Sequence, residues 1–167
     1  MDEQMVTQKD KYVTFMSGDE YFGLKIEYVN EIIVLQDITA IPESEDYIEG
    51  LINLRGKIIP VIDVRLRFNQ EPFEYNDRTC IIVINVQSTV VGLIVEQIAE
   101  VVEISEDNLL PAPSIKHEES SRDRYVYAIG KVDGKVKLLL DPERLLNDED
   151  LSAVEKAGEE AETEQAE

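Results

Sequence analysis

The stretch Phe22-Gly-Leu-Lys-Ile-Glu-Tyr-Val-Asn-Glu-Ile-Ile33 returns 69 positions later as Val91-Gly-Leu-Ile-Val-Glu-Gln-Ile-Ala-Glu-Val-Val102. The two copies keep the glycine, the leucine and both glutamates in place, and they exchange valine and isoleucine at four other positions. This shared order indicates an internal duplication, because unrelated strands share only scattered glycine and valine positions.

The repeat continues at Gly56-Lys57-Ile58, which matches Gly134-Lys135-Val136 at the larger spacing of 78. The longer spacing fits an insertion in the polar segment 111–124, which is typical of a loop. Each half of about 70 residues would have a marginal core alone, so we expect the halves to bury their apolar faces against each other. The sequence therefore predicts two small β-barrels in pseudo-twofold contact that share or swap strands.

Short runs of β-forming residues account for most of the chain, which indicates strands joined by tight turns. These runs lie at 12–16, 21–26, 57–63, 79–86, 89–95 and 135–141. Helical spacing predicts a helical turn at 26–31 and another at 95–100. Asp63 and Asp141 follow strands and are expected to cap short helices. Pro60 lacks an N–H, so its strand is expected at a sheet edge or at a bulge.

The chain carries 36 acidic and 16 basic residues among 167, a formal charge of −20. Nucleic-acid phosphates and anionic lipids would repel such a protein, which disfavours both as partners. Part of the charge lies in 148–167, where a C-terminal helix is predicted to give way to a solvated acidic tail. Within the body, Arg55, Lys57, Arg65 and Arg67 form a basic island. It is either a surface for a partner or a set of bases paired with neighbouring acids.

The residues available for catalysis and metal binding are few. One histidine and one cysteine cannot form a zinc cage, which takes about four such ligands. His117 lies in a polar stretch typical of a loop, and Cys80 lies in an apolar strand, which favours a small buried hydrophobe. No metal or cofactor is expected. The N-terminus lacks the apolar region of a secretory signal, and no apolar run approaches the ~20 residues that cross a bilayer.

Two other classes of function stay open at this point. Paired carboxylates could support hydrolysis if two of them met in a cleft, and the candidates are Glu27, Glu31, Asp63, Glu96 and Glu100. The repeat places Glu27 and Glu96 equivalently, which favours structural reuse over one asymmetric site. An SH3-like peptide-binding module of another signalling pathway would need an exposed aromatic groove, and the chain has no Trp.

The segment Leu51-Ile-Asn-Leu-Arg-Gly-Lys-Ile-Ile-Pro-Val-Ile-Asp63 resembles the signature of the CheW family of chemotaxis coupling proteins. Other segments agree with it in order and spacing: Gly23-Leu24 before Val29-Asn-Glu-Ile32, Pro42 before Tyr47-Ile-Glu-Gly50, and Val91-Gly-Leu-Ile-Val95. The resemblance covers residues 11–147, which we interpret as one CheW-like domain of two intertwined barrel subdomains. No kinase or receiver segment accompanies it, so the chain looks like a stand-alone coupler.

The resemblance implies a mostly β fold of two five-stranded SH3-like barrels around a shared core, with short helices and a C-terminal helix. It implies a cytoplasmic adaptor without enzymatic activity. Such an adaptor binds the signalling tips of methyl-accepting chemoreceptors and the regulatory domain of the histidine kinase CheA. It is recruited in this way to membrane-anchored receptor arrays.

A receptor tip is a helical hairpin, so its site should be an apolar groove that accepts a helix face. Val29, Ile32 and Ile38 are candidates to line this groove, with Cys80 at its floor. Plain core packing is the competing interpretation for Val29 and Ile32.

The family motif maps receptor contact onto Val29, Glu31, Gly50 and Arg55. Arg55 offers a planar fork of donors for carbonyl or carboxylate groups on a receptor helix. The competing interpretation for Arg55 is an ion pair with Glu31 that stabilises the turn. Gly50 is expected to allow a positive φ or a close backbone approach. Kinase contact cannot be assigned to particular residues from the sequence.

Overall fold

The computed structural model describes residues 10–42, 45–112 and 124–146, together with the isolated positions Ser152 and Lys156. Eleven strands lie within these residues. They are β1 (Lys11–Ser17), β2 (Glu20–Lys25), β3 (Val29–Val34), β4 (Ile48–Leu54), β5 (Lys57–Asp63), β6 (Cys80–Val86), β7 (Thr89–Val95), β8 (Gln97–Glu103), β9 (Leu109–Pro111), β10 (Val126–Val132) and β11 (Lys135–Leu140). Two four-residue helices, α1 (Val64–Arg67) and α2 (Pro142–Leu145), follow β5 and β11.

The strands form two sheets that have the same order once the repeat is taken into account. Sheet A has the order β8-β1-β2-β11-β10-β9, and sheet B has the order β3-β6-β7-β5-β4. Each sheet takes one hairpin from one half of the sequence and its other strands from the other half. The predicted mostly β fold with two sheets is therefore confirmed.

The register of the two sheets repeats as well. In sheet B, β5 runs parallel to β7 and places Val61 opposite Gly92. In sheet A, β11 runs parallel to β2 and places Leu139 opposite Gly23. These two pairs are related by the spacings of 78 and 69 seen in the sequence. The repeated segments therefore make equivalent contacts at the centre of both sheets.

The segment that follows the edge strand of each sheet, β3 in sheet B and β8 in sheet A, crosses to the opposite side of that sheet and pairs there. After β3, Thr39 exchanges two backbone hydrogen bonds of 2.9 Å with Leu51 in β4. After β8, strand β9 pairs with β10 over three residues, so sheet A has six strands where five were expected. The connection is a single bridge in sheet B and an extended pairing in sheet A, which explains the unequal strand counts.

The largest cluster of buried side chains draws on strands of both sheets. Its aromatic residues form a continuous row, with ring centroids 5.8 Å apart for Phe15 and Phe22, and 5.1 Å for Phe22 and Phe68. Phe68 continues the row to Tyr125 at 5.8 Å. Aromatic contacts at these separations add to the area that the rings bury. The shared core that the duplication requires is thus built from residues far apart in sequence.

Both predicted helix caps are present. Asp63 Oδ1 accepts hydrogen bonds from the N–H groups of Arg65 at 2.9 Å and Leu66 at 3.3 Å, and Asp141 Oδ1 accepts one from Glu143 at 2.9 Å. An aspartate at this position satisfies helix N–H groups that have no partner within the helix.

The predicted helical turns at 26–31 and 95–100 are mostly wrong. Only Ile26–Tyr28 forms a short 3-10 turn, and β3 and β8 occupy most of the remaining positions. The register of β3 on β6 shifts between Val29 and Glu31, and this bulge interrupts the strict two-residue alternation that identifies a strand in sequence. Of the predicted C-terminal helix and tail at 148–167, only Ser152 and Lys156 are described, and both are helical and exposed. Most of the predicted loop at 111–124 also lies outside the described residues.

Candidate functional site

Strand β3 is an edge strand of sheet B, and its side chains alternate between half-buried and exposed positions. Ile32 is 40% exposed and Val34 is 74% exposed, and both lie on the exposed side of this alternation. Val29 is half-buried and packs against the central cluster. Neighbouring aliphatic side chains on an unprotected edge strand indicate a surface that another protein covers.

Cys80 lies next to this edge. Val34 pairs with Cys80, and Ile32 pairs with Ile82 on the neighbouring strand β6, so each pair shares a face of the sheet. The Cys80 thiol is half-buried against the central cluster and donates to the carbonyl of Arg78 at 3.3 Å. Burial raises the pKa of the thiol, so Cys80 remains a neutral, weakly polar group beneath the exposed valine.

Arg55 approaches the same edge from the turn between β4 and β5. Arg55 and Gly56 both have positive φ, at 51° and 87°, and the Gly56 N–H donates to Asn53 Oδ1 at 2.9 Å. Two positive φ values are typical of the tight turns that join twisted hairpins. The Arg55 side chain pairs with Glu31 of β3 and is still 68% exposed. The hydrogen bond to Glu31 and its charge raise the pKa of Arg55.

The ion pair joins the two edges of sheet B, because Glu31 belongs to β3 and Arg55 follows β4. It holds the guanidinium at Glu31, whose side chain lies on the opposite side of β3 from Ile32 and Val34. Since most of the Arg55 side chain remains exposed, the ion pair and contact with a partner are compatible.

Ile38 and Gly50 lie apart from this face. Ile38 packs against the cluster inside sheet B, which includes Ile52, Ile59 and Ile81. Gly50 is buried, and an added Cβ would lie 2.2 Å from the carbonyl oxygen of Thr39. Both residues support the connection between β3 and β4 from behind. Val34, which the sequence interpretation left out, belongs to the face instead, and continuing the alternation of β3 by two residues from Ile32 would have found it.

The basic island does not form a common surface. The Arg65 guanidinium pairs with Glu96 at 3.1 Å, and its Nε donates to the carbonyl of Glu71 at 2.7 Å. Arg67 is half-buried and stacks between two tyrosine rings. Arg55 pairs with Glu31, and Lys57 is exposed. Local pairing therefore accounts for Arg65, whereas Arg55 combines a local pair with an exposed guanidinium.

The five acids of the hydrolase hypothesis lie in different structural settings. Glu31 pairs with Arg55, Glu96 pairs with Arg65, and Asp63 caps α1. Glu27 lies on the 3-10 turn before β3 and Glu100 on β8, and both are exposed. Paired carboxylates must converge on one cleft to act as general acid and base. Their arrangement gives hydrolysis no support.

A different pair of carboxylates does meet. The Tyr75 hydroxyl donates to Asp63 Oδ2 at 2.6 Å and also bonds the carboxylate of Glu49. Burial, and then the charge of Asp63, raise the pKa of Glu49, while the bond from Tyr75 lowers it. Burial and the charge of Asp63 outweigh the bond from Tyr75, so the raised pKa disfavours the ionised form of Glu49 in the folded protein.

We expect Glu49→Gln to stabilise the protein at pH 7. Because folding raises the pKa of Glu49 above its ordinary 4.5, its favourable contribution is complete below that pH and is lost as the pH rises through the folded-state pKa. The gain at pH 7 should stay below about 1 kcal/mol, since the carboxylate is partly solvated. Urea unfolding at pH 4 and pH 7 measures it, with exposed Glu74→Gln as the control. A gain that is equal at both pH values would contradict this explanation.

Within residues 10–42, 45–112 and 124–146, no three His, Cys, Asp or Glu side chains converge as a metal site. No helix in the described structure has the length and apolar character to cross a membrane. His117 lies outside the described residues.

Comparison with known proteins gives consistent results. The model of the CheW-like domain family matches residues 11–150. "Chemotaxis protein CheW" of Klebsiella aerogenes is 32% identical over 149 residues, which cover 89% of each chain. The protein of the same name from Bacillus subtilis is 31% identical over 140 residues, 84% of this chain and 88% of that one. The crystal structure of the scaffolding protein TtCheW from Thermoanaerobacter tengcongensis matches with a TM-score of 0.76 and 35% identity, covering 84% of this chain and 94% of that one.

Proposed function

The chain belongs to the CheW-like domain family, and we propose that it is a non-enzymatic chemotaxis adaptor that couples chemoreceptor tips to the histidine kinase CheA. Relatives named as chemotaxis and scaffolding proteins support this assignment, and the relatives described above are matched over most of their length. The proposed place of action is the cytoplasm, at membrane-anchored receptor arrays. Its proposed partners are the signalling tip of a methyl-accepting receptor and the regulatory domain of CheA.

The observation that carries the receptor site is the exposed edge strand β3 of sheet B, where Ile32 and Val34 are exposed on one side and Glu31, on the alternate side, pairs with the exposed Arg55 side chain. An amphipathic helix places apolar side chains three and four residues apart, which fits a short apolar strip such as this one. Arg55, held at the same strand by Glu31, can donate to carboxylate or carbonyl groups of the bound partner. The surface thus combines apolar contacts, which have no preferred direction, with hydrogen bonds from Arg55, which do.

The proposed receptor residues fall into two groups. Ile32 and Arg55 would touch the receptor directly, with Val34 as an addition from the structure. The others would shape the surface from below or behind, and they are Val29, Glu31, Ile38, Gly50 and Cys80. Within the proposal, the internal duplication of 11–147 is the origin of the two equivalent sheets, and the repeated register supports it. We assign no particular residues to kinase contact.

Arg55→Glu should weaken capture of a receptor-tip fragment at least about tenfold, a loss of about 1.4 kcal/mol. The change reverses the charge that pairs with Glu31 and places two acids against each other at the turn. Pull-down from solution with the wild type and the variant measures the loss, and circular dichroism checks that both are folded. Exposed Arg78→Glu is the matched control for net charge.

The double variant Glu31→Arg with Arg55→Glu separates the two interpretations of Arg55. It restores an ion pair between the sheet edges but moves the positive charge from the β4–β5 turn to β3. Restored receptor binding would mean that pairing alone matters, whereas continued loss supports direct contact. If the wild type captures neither the receptor fragment nor the regulatory domain of CheA, the adaptor function must be abandoned.

A further inference from the structure

Arg67 lies where the two sheets meet. Its guanidinium carbon is 4.4 Å from the ring centroid of Tyr47 and 5.1 Å from that of Tyr125. Its Nε donates a hydrogen bond of 2.9 Å to the carbonyl of Leu145 in α2. Tyr47 directly precedes β4 of sheet B, whereas Tyr125 directly precedes β10 of sheet A. A single side chain therefore contacts both sheets.

The residues around Arg67 are related by the repeat. Tyr47 and Tyr125 are 78 positions apart, and so are Arg67 and Leu145. Arg67 thus lies between two equivalent tyrosines and bonds the backbone of its own counterpart, as expected for a residue near the pseudo-twofold centre. Arginine at both positions would bring two positive charges together, whereas leucine leaves space for one guanidinium. The symmetry of the fold is broken at this point for a physical reason.

The contacts of Arg67 differ in kind from the rest of the junction. Most of the junction is apolar, as in the packing of Phe68 on Tyr125 at 5.8 Å. Apolar burial is non-directional and tolerates small rotations of one surface on another. A planar guanidinium that stacks on rings and donates along a fixed direction restricts such rotation. Tyr47, Tyr125 and Leu145 are all buried, so solvent screens these contacts only in part.

We propose that Arg67 is a positioning residue that fixes the relative orientation of sheets A and B. The inference rests on the adaptor function proposed above, because a protein that holds two partners at once needs their sites at a fixed distance and angle. Arg67 acts through Tyr47, Tyr125 and Leu145 and touches neither partner. Replacing Arg67 should leave the binding of each partner alone intact and disrupt the simultaneous binding of both.

The first test measures the orientation without any partner. Spin labels at Lys57→Cys in β5 and Lys131→Cys in β10, both exposed, report the distance between the sheets in a Cys80→Ser background. Arg67→Leu in the full chain should shift or broaden the distribution of distances between the two labels, measured by pulsed electron paramagnetic resonance. Arg144→Leu is the matched control, since Arg144 lies on α2 with its side chain 55% exposed.

Arg67→Lys keeps the charge but loses the planar fork and the Nε donor. It should give the same change as Arg67→Leu, and it replaces that variant if leucine prevents folding. A distribution identical to the wild type in a folded Arg67 variant overturns the proposal. A shift in Arg144→Leu of the same size also overturns it, because the effect would not be specific to the junction.

The second test uses the partners. A receptor-tip fragment and the regulatory domain of CheA should each bind Arg67→Leu as well as wild type, while the complex of all three is lost. A three-part complex that forms normally despite a shifted distance distribution overturns the positioning role. If the wild type binds neither partner, the adaptor function fails, but the distance measurement still decides whether Arg67 fixes the two sheets.

Discussion

Gly50→Ala should cost roughly 4 kcal/mol or more of unfolding free energy, in the upper tail of single substitutions. A Cβ at this position would lie 2.2 Å from the carbonyl oxygen of Thr39 and 2.8 Å from Ile38 Cγ2. The carbonyl cannot withdraw easily, because Thr39 is held by two hydrogen bonds to Leu51. The φ of 153° at Gly50 adds backbone strain for any side chain. The substitution therefore opens the contact between the two edges of sheet B.

Gly56→Ala provides the control for this result. Gly56 also has a positive φ, 87°, but an added Cβ meets no atom within 4 Å. Its cost should be about 1–2 kcal/mol, from backbone strain alone. Urea unfolding of the two variants and the wild type compares them directly. Equal costs for Gly50→Ala and Gly56→Ala would contradict the steric explanation.

The stability effect bears on the proposed receptor site. A Gly50 variant that loses receptor binding does not by itself show contact, because the β3 edge changes when Thr39 moves. Ile38 has the same ambiguity, since it packs against the interior of sheet B. Variants of Ile32 and Arg55, whose side chains are exposed, test direct contact with the receptor without this ambiguity.

The exchange of strands between the sheets could be predicted because the repeat preserves partners as well as sequence. Gly23 and Gly92 recur at a spacing of 69, and the residues that they face, Leu139 and Val61, recur at a spacing of 78, so the pairing of one half constrains that of the other. The helix caps were predictable for a local reason. Asp63 and Asp141 each follow a strand and bond N–H groups only two or three residues away.

Contacts between residues far apart in the sequence were not predictable. The basic island was close along the chain, but Arg65 turns toward Glu96 while Arg55 turns toward Glu31. The position of Arg67 requires Tyr47 and Tyr125, which belong to different sheets. Sequence spacing sets which residues share an element, whereas the direction of a long charged side chain follows from its distant neighbours.

The strand of Pro60 was expected at an edge or with a bulge; β5 lies between β4 and β7, and its register on β4 shifts between Ile48 and Gly50. The parallel pairing with β7 starts only at Val61, one residue after the proline. The missing N–H of Pro60 therefore falls outside that pairing. The general rule for proline in strands does not consider that a parallel pairing can begin one residue after the proline.

Gly92→Ala should destabilise the protein by about 2–3 kcal/mol, near the upper end of the usual cost of overpacking. A Cβ at Gly92 would lie 2.7 Å from Ile81 Cγ2 and 2.8 Å from Val61 Cγ1. Both contacts are with methyl groups on β-branched side chains, which have few alternative rotamers. Both residues are fully or almost fully buried, so neither side chain has solvent into which it can move.

Gly23→Ala tests the equivalent position in sheet A and should cost less, about 1 kcal/mol at the lower end of overpacking. Its Cβ would lie 2.8 Å from Leu139 Cδ2, the far end of a side chain that can rotate. Urea midpoints of the two variants rank the costs. Val61→Ala in the Gly92→Ala background should recover part of the loss, because it removes one of the two clashing methyl groups. If Gly92→Ala is no more costly than Gly23→Ala, and Val61→Ala recovers nothing, close approach of the parallel strands is not the reason for glycine at these positions.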